Sequence, residues 1–301
     1  MRIANPIYDV VFKYLMEDSK IARLIISSLI QEDIETIEFM PKEVISYEEY
    51  KSRFGQPQLF FTVYRLDFKA KIKTETGQKI VLIEIQKAKF ATDIMRFRRY
   101  LGENYLDSEN SYIEFVNGRE VKKAYPIISI YFLGHKLNRI DNPVIKVQPK
   151  YIDLITGEKI DGKEDFIESL THSSIVIQIP QLKEKRKSDL EILLSVFDQS
   201  NITADTHILN VREEDFPEKY RDIIRRLQTA VVEPQMRDKM IIEDEIFKEL
   251  ETKEREIERR EDIIIEKEKT IGEKDRAIEE KDKAIEELRR EINELRKMMG
   301  N

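Results

Sequence analysis

The sequence contains no cysteine, and none of its 301 residues lies in a long uncharged apolar run. The absence of cysteine excludes a disulfide framework, a thiolate metal site and a cysteine nucleophile. Because a membrane-spanning helix needs about 18 or more apolar residues in succession, we expect no transmembrane helix. The N-terminal residues are charged throughout and lack the apolar run of a signal peptide, so we expect a soluble, cytoplasmic protein.

Charged residues are abundant but unevenly distributed. They make up 37% of the chain, and the formal net charge is -7. Residues 243–301 contain 21 acidic and 15 basic side chains, whereas the preceding 242 residues contain 38 and 37. The body is therefore close to neutral. Its charge does not argue against a nucleic-acid partner, because a local basic patch is enough to contact phosphates.

The C-terminal segment carries a seven-residue apolar repeat. The repeat positions are Leu250, Ile257, Ile264, Ile271, Ile278, Ile285, Ile292 and Met299. This period is typical of a left-handed coiled coil, which we place at residues 243–301. The seam of a coiled coil also uses the position three residues after each repeat residue, and there only Leu288 and Leu295 are apolar. The C-terminal end of the segment is therefore expected to pair most strongly. Isoleucine with leucine at these positions favours a parallel homodimer, and a long solvated helix that never pairs is the alternative.

The body has the pattern of a mixed α/β domain, with a core at residues 1–200 and a helical extension at 201–242. Apolar residues alternate with polar ones in some segments and recur at helical spacing in others. Asn5 followed by Pro6 indicates the start of the first helix. The predicted helices are 5–30, 90–105, 188–199 and 213–232, and the predicted strands are 34–47, 60–73, 79–86, 125–133 and 173–179.

The polar ends of a predicted hairpin are the candidate site for chemistry. Glu84 and Gln86 are two residues apart on one strand, so their side chains leave the same face, beside an apolar row. Asp67 lies on the neighbouring strand. If the carboxylates of Asp67 and Glu84 converge, they offer two hard oxygen ligands of the kind that Mg²⁺ prefers, and Gln86 could hold a water. The alternative is that Asp67 faces solvent and Glu84 pairs with a lysine across the hairpin.

Three stretches in this order resemble the PD-(D/E)XK nuclease superfamily. Within it, they resemble the Rpn-type group described as PD-(D/E)XK nuclease family transposases. The resemblance covers most of residues 1–200. The stretches are DVVFK at 9–13, RLDFK at 65–69, and IEIQ at 83–86 followed by Phe90, Arg96 and Tyr100.

This resemblance implies a restriction-endonuclease-like mixed sheet flanked by helices. It also implies a Mg²⁺- or Mn²⁺-dependent endonuclease that hydrolyses DNA phosphodiester bonds and acts in DNA mobility, recombination or defence. Asp67 and Glu84 would be metal ligands, joined by the backbone carbonyl of Ile85. Gln86 stands where the superfamily normally has a catalytic lysine.

The glutamine is a departure that bears on activity, because its amide cannot contribute positive charge. Lys13, Lys69 or Lys87 could take the place of the missing lysine if the fold brings one of them close. Asp9 could bind a second metal or could fix the first helix. The alternative function is a weak or inactive nuclease fold that serves as a coiled-coil-assembled binding module for nucleic acid or protein.

Basic side chains beside the hairpin are candidates for contacts with DNA phosphates. Arg96 and Arg99 are three residues apart and share one face of a predicted helix. With Lys69 they could form a patch that neutralises the DNA backbone. A solvated helix surface is the alternative.

Overall fold

The computed structural model describes residues 1–40, 68–87, 93–182 and 188–298, and these form a mixed α/β architecture. The helices are α1 (Asp9–Met16), α2 (Ser19–Ile30), α3 (Asp93–Leu106), α4 (Asp165–Leu170), α5 (Asp189–Leu194), α6 (Glu218–Val232) and α7 (Pro234–Met298). The strands are β1 (Arg2–Ala4), β2 (Ile34–Phe39), β3 (Phe68–Thr74), β4 (Gly77–Gln86), β5 (Ser111–Val116), β6 (Arg119–Ala124), β7 (Ile127–Leu133), β8 (Val144–Val147), β9 (Tyr151–Ile152), β10 (Lys159–Ile160), β11 (His172–Gln178) and β12 (Ile208–Asn210).

A six-stranded mixed sheet, in the order β2-β3-β4-β7-β11-β8, organises the body. β3 and β4 form the predicted antiparallel hairpin, with Phe68 opposite Ile83 and Thr74 opposite Gly77. Gly77 has a φ of 120°, a backbone conformation that glycine adopts without steric cost. The chain can therefore reverse over the two residues between the strands. The part of the predicted strand 60–73 that precedes Phe68 lies outside the described residues.

The centre of the sheet is parallel and buried. The strands predicted at 125–133 and 173–179 are confirmed as β7 and β11, and β7 runs parallel to both β4 and β11. All but one of the residues of β7 are buried. Burial on both faces explains why the β7 segment is almost continuously apolar rather than alternating.

The two faces of β4 pack against different helices. Val81, Ile83 and Ile85 belong to the main hydrophobic core, together with residues of α1 and α2. Ile80 and Leu82 point the other way and form a smaller core with Tyr125 and Ile127, against which Leu101 of α3 packs. Successive side chains of β4 are therefore divided between the α1 face and the α3 face of the sheet.

The predicted first helix is two helices, and its predicted start is wrong. α1 begins at Asp9, and α2 begins after Asp18, whose carboxylate accepts hydrogen bonds from the amides of Lys20 and Ile21. Asn5 does not cap a helix. Its side chain is buried and bonds to Gln199 at 2.9 Å. Asn5 thus ties the N-terminal segment to a distant part of the chain.

Besides the short pair β9 and β10, two pairs of strands were not predicted from the sequence. β1 pairs with β12, which joins residues near the N-terminus to residues more than two hundred positions later. β5 and β6 form a separate hairpin around Asn117 and Gly118, whose φ values are 52° and 76°. An Asn-Gly pair is the strongest short hairpin signal, so this second pair could have been found from the sequence.

The later helices agree with the sequence pattern. The prediction at 188–199 is confirmed as α5 followed by short 3₁₀ turns, and the prediction at 213–232 is confirmed as α6 with a preceding 3₁₀ turn. α7 is a single helix of 65 residues. The chain divides into two compact units, Met1–Glu245 and Ile246–Asn301. The predicted boundaries at residues 200 and 242 stay predictions.

The described residues include no helix that is both long and apolar enough to cross a membrane. In α7, the repeating isoleucines are between 46% and 57% exposed. The apolar stripe predicted from the sequence is therefore present on the helix surface. Its pairing with a partner helix stays a prediction.

Candidate functional site

Glu84 and Gln86 occupy the end of β4 and are both 3% exposed. Their even spacing with Ile80 and Leu82 places them on the α3 face of the sheet. Glu84 lines a small pocket whose other walls include Phe97 and Tyr100 of α3. A carboxylate in such apolar surroundings needs compensation, because burial of a bare charge is costly. On this face of β4, the polar side chains of Glu84 and Gln86 thus follow the apolar side chains of Ile80 and Leu82.

Tyr131 of β7 is the cross-strand neighbour of Glu84. Its ring lies 4.9 Å from that of Phe97, centroid to centroid. Burial raises the pKa of Tyr131, a hydrogen bond with Ser129 acts against this, and the negative charge of Glu84 raises it further. The tyrosine therefore stays a neutral phenol beside the carboxylate. Tyr131 was not predicted from the sequence, because nothing in a continuous apolar strand distinguishes it before the register is known.

The side-chain amide of Gln86 is buried without a hydrogen-bond partner among the described residues. An amide left in this state costs free energy, since its oxygen and nitrogen have both lost water. The main-chain carbonyl of Gln86, by contrast, accepts a 2.6 Å hydrogen bond from the amide of Gly134. The backbone is fixed while the side chain retains unused donors and an acceptor, as a ligand-binding or water-binding group would.

For two members of the predicted metal-ligand set, Asp67 and Ile85, the structure describes no side chain at the candidate site. Asp67 lies outside the described residues, directly before Phe68 in the sequence. The side chain of Ile85 packs in the main core on the α1 face, so only its main-chain carbonyl is relevant to a metal. In residues 1–40, 68–87, 93–182 and 188–298, no three histidine or acidic side chains form a cluster suited to a metal ion.

Asp9 and Lys13 are placed apart from the α3 face. They form an i, i+4 ion pair of 2.5 Å on α1. Phe12 of the same helix packs against Phe132 of β7, with ring centroids 5.4 Å apart, and Phe132 pairs with Ile85 on the α1 face. α1 therefore covers the face opposite to Glu84. A catalytic role for Asp9 and Lys13 stays a prediction.

The candidate DNA-contacting side chains have acidic neighbours. Lys69 pairs in register with Leu82, on the α3 face, and its ammonium is 2.9 Å from the Asp107 carboxylate. Arg99 donates a 2.8 Å hydrogen bond to Glu103. The side chain of Arg96 lies outside the described part of α3. Burial favours a higher pKa for Asp107, but its hydrogen bonds with Lys69 and a backbone amide outweigh burial and lower that pKa.

A second polar cluster lies on the other side of β4 and was missed in the sequence analysis. Its centre is Asp244 of α7, which accepts hydrogen bonds from the Tyr8 hydroxyl at 3.0 Å and from the Lys87 ammonium. The Nε2 atom of His207 lies 3.0 Å from the same carboxylate. We call these four residues the Asp244 cluster. No local signal identifies it, because its members come from four distant segments and Asp244 looks like part of the acidic tail.

Glu243, next to this cluster, caps the N-terminus of α1. The residue at the start of α1, Tyr8, offers no side-chain cap, and the carboxylate of Glu243 instead accepts a 3.1 Å hydrogen bond from the amide of Asp9. Burial raises the pKa of Glu243 to about 7; the negative charge of Asp9 adds to this, and Lys87 opposes it. A carboxylate at a helix N-terminus also interacts favourably with the helix dipole.

Comparison with protein-family models, with curated proteins and with solved structures found no match for this chain. The resemblance to PD-(D/E)XK nucleases therefore stays a prediction from the sequence motifs.

Proposed function

We propose that the chain is a metal-dependent DNA endonuclease with a restriction-endonuclease-like core of the PD-(D/E)XK type, of the Rpn-type group. The observation that supports this most is the end of β4. There, the buried carboxylate of Glu84 shares one face with the buried amide of Gln86, and this amide has no partner among the described residues. Burial of such a pair in apolar surroundings is costly, and sites with a chemical task are where proteins retain that cost.

The register of the hairpin supports a place for Asp67 in the same site. Phe68 pairs with Ile83. In the same antiparallel register, the residue before Phe68 would lie opposite Glu84. Lys69, the residue after Phe68, is on the α3 face, and a strand that extends one residue before Phe68 would direct Asp67 to the same face. We therefore expect the carboxylates of Asp67 and Glu84 to be cross-strand neighbours.

The residues present fit a Mg²⁺ or Mn²⁺ ion bound by Asp67, Glu84 and the Ile85 carbonyl. Hard oxygen donors of this kind, few in number, suit Mg²⁺, which keeps several waters in its coordination shell. A bound metal would supply Lewis-acid stabilisation of the phosphate and a water of lowered pKa. The Gln86 amide would orient a water by hydrogen bonding, since it has both a donor and an acceptor to offer.

Lys69 is our candidate for the positive charge that Gln86 cannot provide. It lies on the α3 face, whereas Lys87 points to the Asp244 cluster and Lys13 lies on α1. The Asp107 carboxylate lies 2.9 Å from the Lys69 ammonium. A DNA phosphate could compete for this ammonium, and Arg96 and Arg99 would add contacts to the backbone of the same strand.

A second function is favoured by a separate observation. Described cations near the site already have carboxylate partners, as in the pairs Lys69 with Asp107 and Arg99 with Glu103. Such pairing, with a glutamine in the lysine position, suits a catalytically weak or inactive fold that binds nucleic acid or protein. Both functions gain from the tail, because a coiled-coil homodimer would present two copies of the site, one for each strand of a duplex.

The test is a plasmid nicking assay in Mg²⁺ and Mn²⁺ with four proteins. These are the parent, Asp67→Asn, Glu84→Gln and the control Glu120→Gln, whose side chain is exposed on β6. We expect metal-dependent nicking by the parent and the control and its loss in the other two. Nicking that survives both changes would overturn this site.

If the folded parent shows no nicking, binding decides between the two functions. A Mn²⁺ titration and a fluorescence-anisotropy assay with labelled duplex DNA would then be run on the same four proteins. DNA binding that does not depend on Glu84 would support the binding module over the nuclease.

A further inference from the structure

Asp244 joins three segments that are far apart in the sequence. It accepts hydrogen bonds from Tyr8, which precedes α1, and from Lys87, which follows β4, and it lies beside His207, which precedes β12. Arg237 of the same helix is 3.1 Å from Asp205, so a second ion pair holds α7 at this place. The start of α7 is thus fixed to the body through charged groups.

Lys87 is held from two directions in this cluster. Its ammonium is bonded to Asp244 and lies 3.6 Å from the centroid of the Tyr8 ring, a cation–π distance. The Asp244 carboxylate is only 37% exposed, so solvent screens the pair less than it would a surface salt bridge. The hydrogen bond from an ammonium to a carboxylate is among the stronger kinds.

The main chain at Gln86 and Lys87 contacts Gly134, the residue that follows β7. The Gln86 carbonyl accepts the Gly134 amide, and a Cβ added to Gly134 would lie 2.2 Å from the Lys87 carbonyl oxygen. The main chain of residues 86 and 87 therefore contacts Gly134, and the ammonium of the Lys87 side chain is bound by Asp244. Glu84 and Gln86 project from the same stretch of backbone, three residues and one residue before Lys87 respectively.

We propose that Asp244 is a positioning residue for the proposed metal site: through Lys87 it fixes the end of β4, and so the places of Glu84 and Gln86. This inference rests on the proposed function for its consequence in catalysis. Its structural part, the fixing of the end of β4, can be tested without any activity. A site held by supporting contacts loses binding strength when those contacts are removed, even though its own ligands are intact.

The first measurement is the rate of amide hydrogen exchange, monitored by NMR on the full chain. The variants are Asp244→Ala, Asp244→Asn and the control Asp238→Ala, which removes an exposed carboxylate from the same helix. We expect the Gly134 amide to exchange about tenfold faster in Asp244→Ala, as when a charge-assisted hydrogen bond is lost. Asp244→Asn keeps an acceptor for Tyr8 and should show a smaller increase. The buried Ile130 amide, in the middle of β7, reports global unfolding and should not change.

The second measurement is Mn²⁺ affinity by titration of the same proteins, together with nicking where the parent is active. Asp244→Ala should weaken Mn²⁺ binding about tenfold or more, in line with the loss of supporting contacts at metal sites. An unchanged Gly134 exchange rate would overturn the proposal. Faster exchange with unchanged Mn²⁺ affinity would also overturn it, because the fixing of the end of β4 would then not serve the site.

One outcome separates this inference from the proposed function. If the parent neither binds Mn²⁺ nor nicks DNA, the proposed function fails on its own. Faster Gly134 exchange in Asp244→Ala would in that case still support the fixing of the end of β4, and its role in a metal site would be rejected.

Discussion

The main-chain amide of Gly134 lies 2.6 Å from the carbonyl oxygen of Gln86, at the point where β7 ends beside β4. No side chain fits at this contact, since a Cβ on Gly134 would approach Lys87 carbonyl oxygen to 2.2 Å. The obstacle is main chain rather than a flexible side chain, so it cannot simply rotate away. This close approach brings the ends of β4 and β7 together where Glu84 and Gln86 lie.

The first prediction concerns that contact. Gly134→Ala should lower the free energy of unfolding by about 1–3 kcal/mol, the usual cost of forcing extra atoms into a packed place. Gly102→Ala is the matched control, because its added Cβ meets no atom within 4 Å and Gly102 lies within α3. The control should gain up to about 1 kcal/mol from better helix propensity. Urea unfolding of both variants measures the difference, and equal effects would contradict the prediction.

The second prediction concerns pH and Glu243. Its folded pKa of about 7 lies above its usual value of 4.5, so the folded protein holds this proton more tightly than the unfolded chain does. The free energy of unfolding should therefore fall as the pH rises from 4.5 through 7. Glu243→Gln should reduce this decline by about 1–3 kcal/mol. Asp9 and Lys87 face the same carboxyl but are present in both proteins, so the difference isolates Glu243.

Urea unfolding at several pH values between 4 and 8 measures this effect. Glu245→Gln, an exposed change two residues further along the helix, is the control and should track the parent. A Glu243→Gln curve that runs parallel to the parent curve would show that the proton on Glu243 is not linked to folding.

The third prediction concerns the charge on the α3 face. If the proposed nuclease function holds, Lys69→Met should lower the kcat for nicking about 10²-fold, as when an electrostatic stabiliser of the transition state is lost. Lys73→Met is the control, since Lys73 lies on the same face of β3 but pairs with Glu35 at 2.6 Å, away from the site. Equal kinetics of the two variants would remove Lys69 from the mechanism.

The fourth prediction concerns the exposed stripe on α7. Replacing Ile285 and Ile292 by lysine should turn a homodimer into a monomer, because charged residues on an apolar seam oppose pairing. Glu287→Lys with Glu294→Lys adds lysines off the seam and should leave the dimer intact. Analytical ultracentrifugation at matched concentrations measures the masses. A parent that is already monomeric would contradict the coiled-coil prediction.

The central strands and the hairpin could be predicted because their patterns are local. A strand buried on both faces is apolar along nearly its whole length, as β7 is; β3 alternates because its faces differ. The same reasoning failed at Asn5, where a helix-capping residue in the sequence instead bonds Gln199 across the fold. Local propensity cannot anticipate a partner almost two hundred residues away.

The candidate site likewise contains residues that a local pattern predicts and residues that only the tertiary structure brings in. Glu84 and Gln86 were found from alternation on one strand, and the structure places both on one face as alternation requires. Tyr131 and Asp244 were not found, because each enters only through tertiary structure: Tyr131 by strand register and Asp244 by the return of α7 to Tyr8 and Lys87. Such residues carry no sequence signal of their own.

The segment at residues 1–9 is bound by residues 208–243, and this has a consequence for folding during synthesis on the ribosome. β1 needs β12, the N-terminal amine bonds the carbonyl of Val211, and α1 takes its first-turn acceptor from Glu243. At about 5–20 residues per second, residue 243 leaves the peptidyl-transferase centre roughly 10–50 s after residue 9. During translation, β1 therefore lacks its partner strand, and Ile3 lacks its neighbour Leu209, until most of the body has been made.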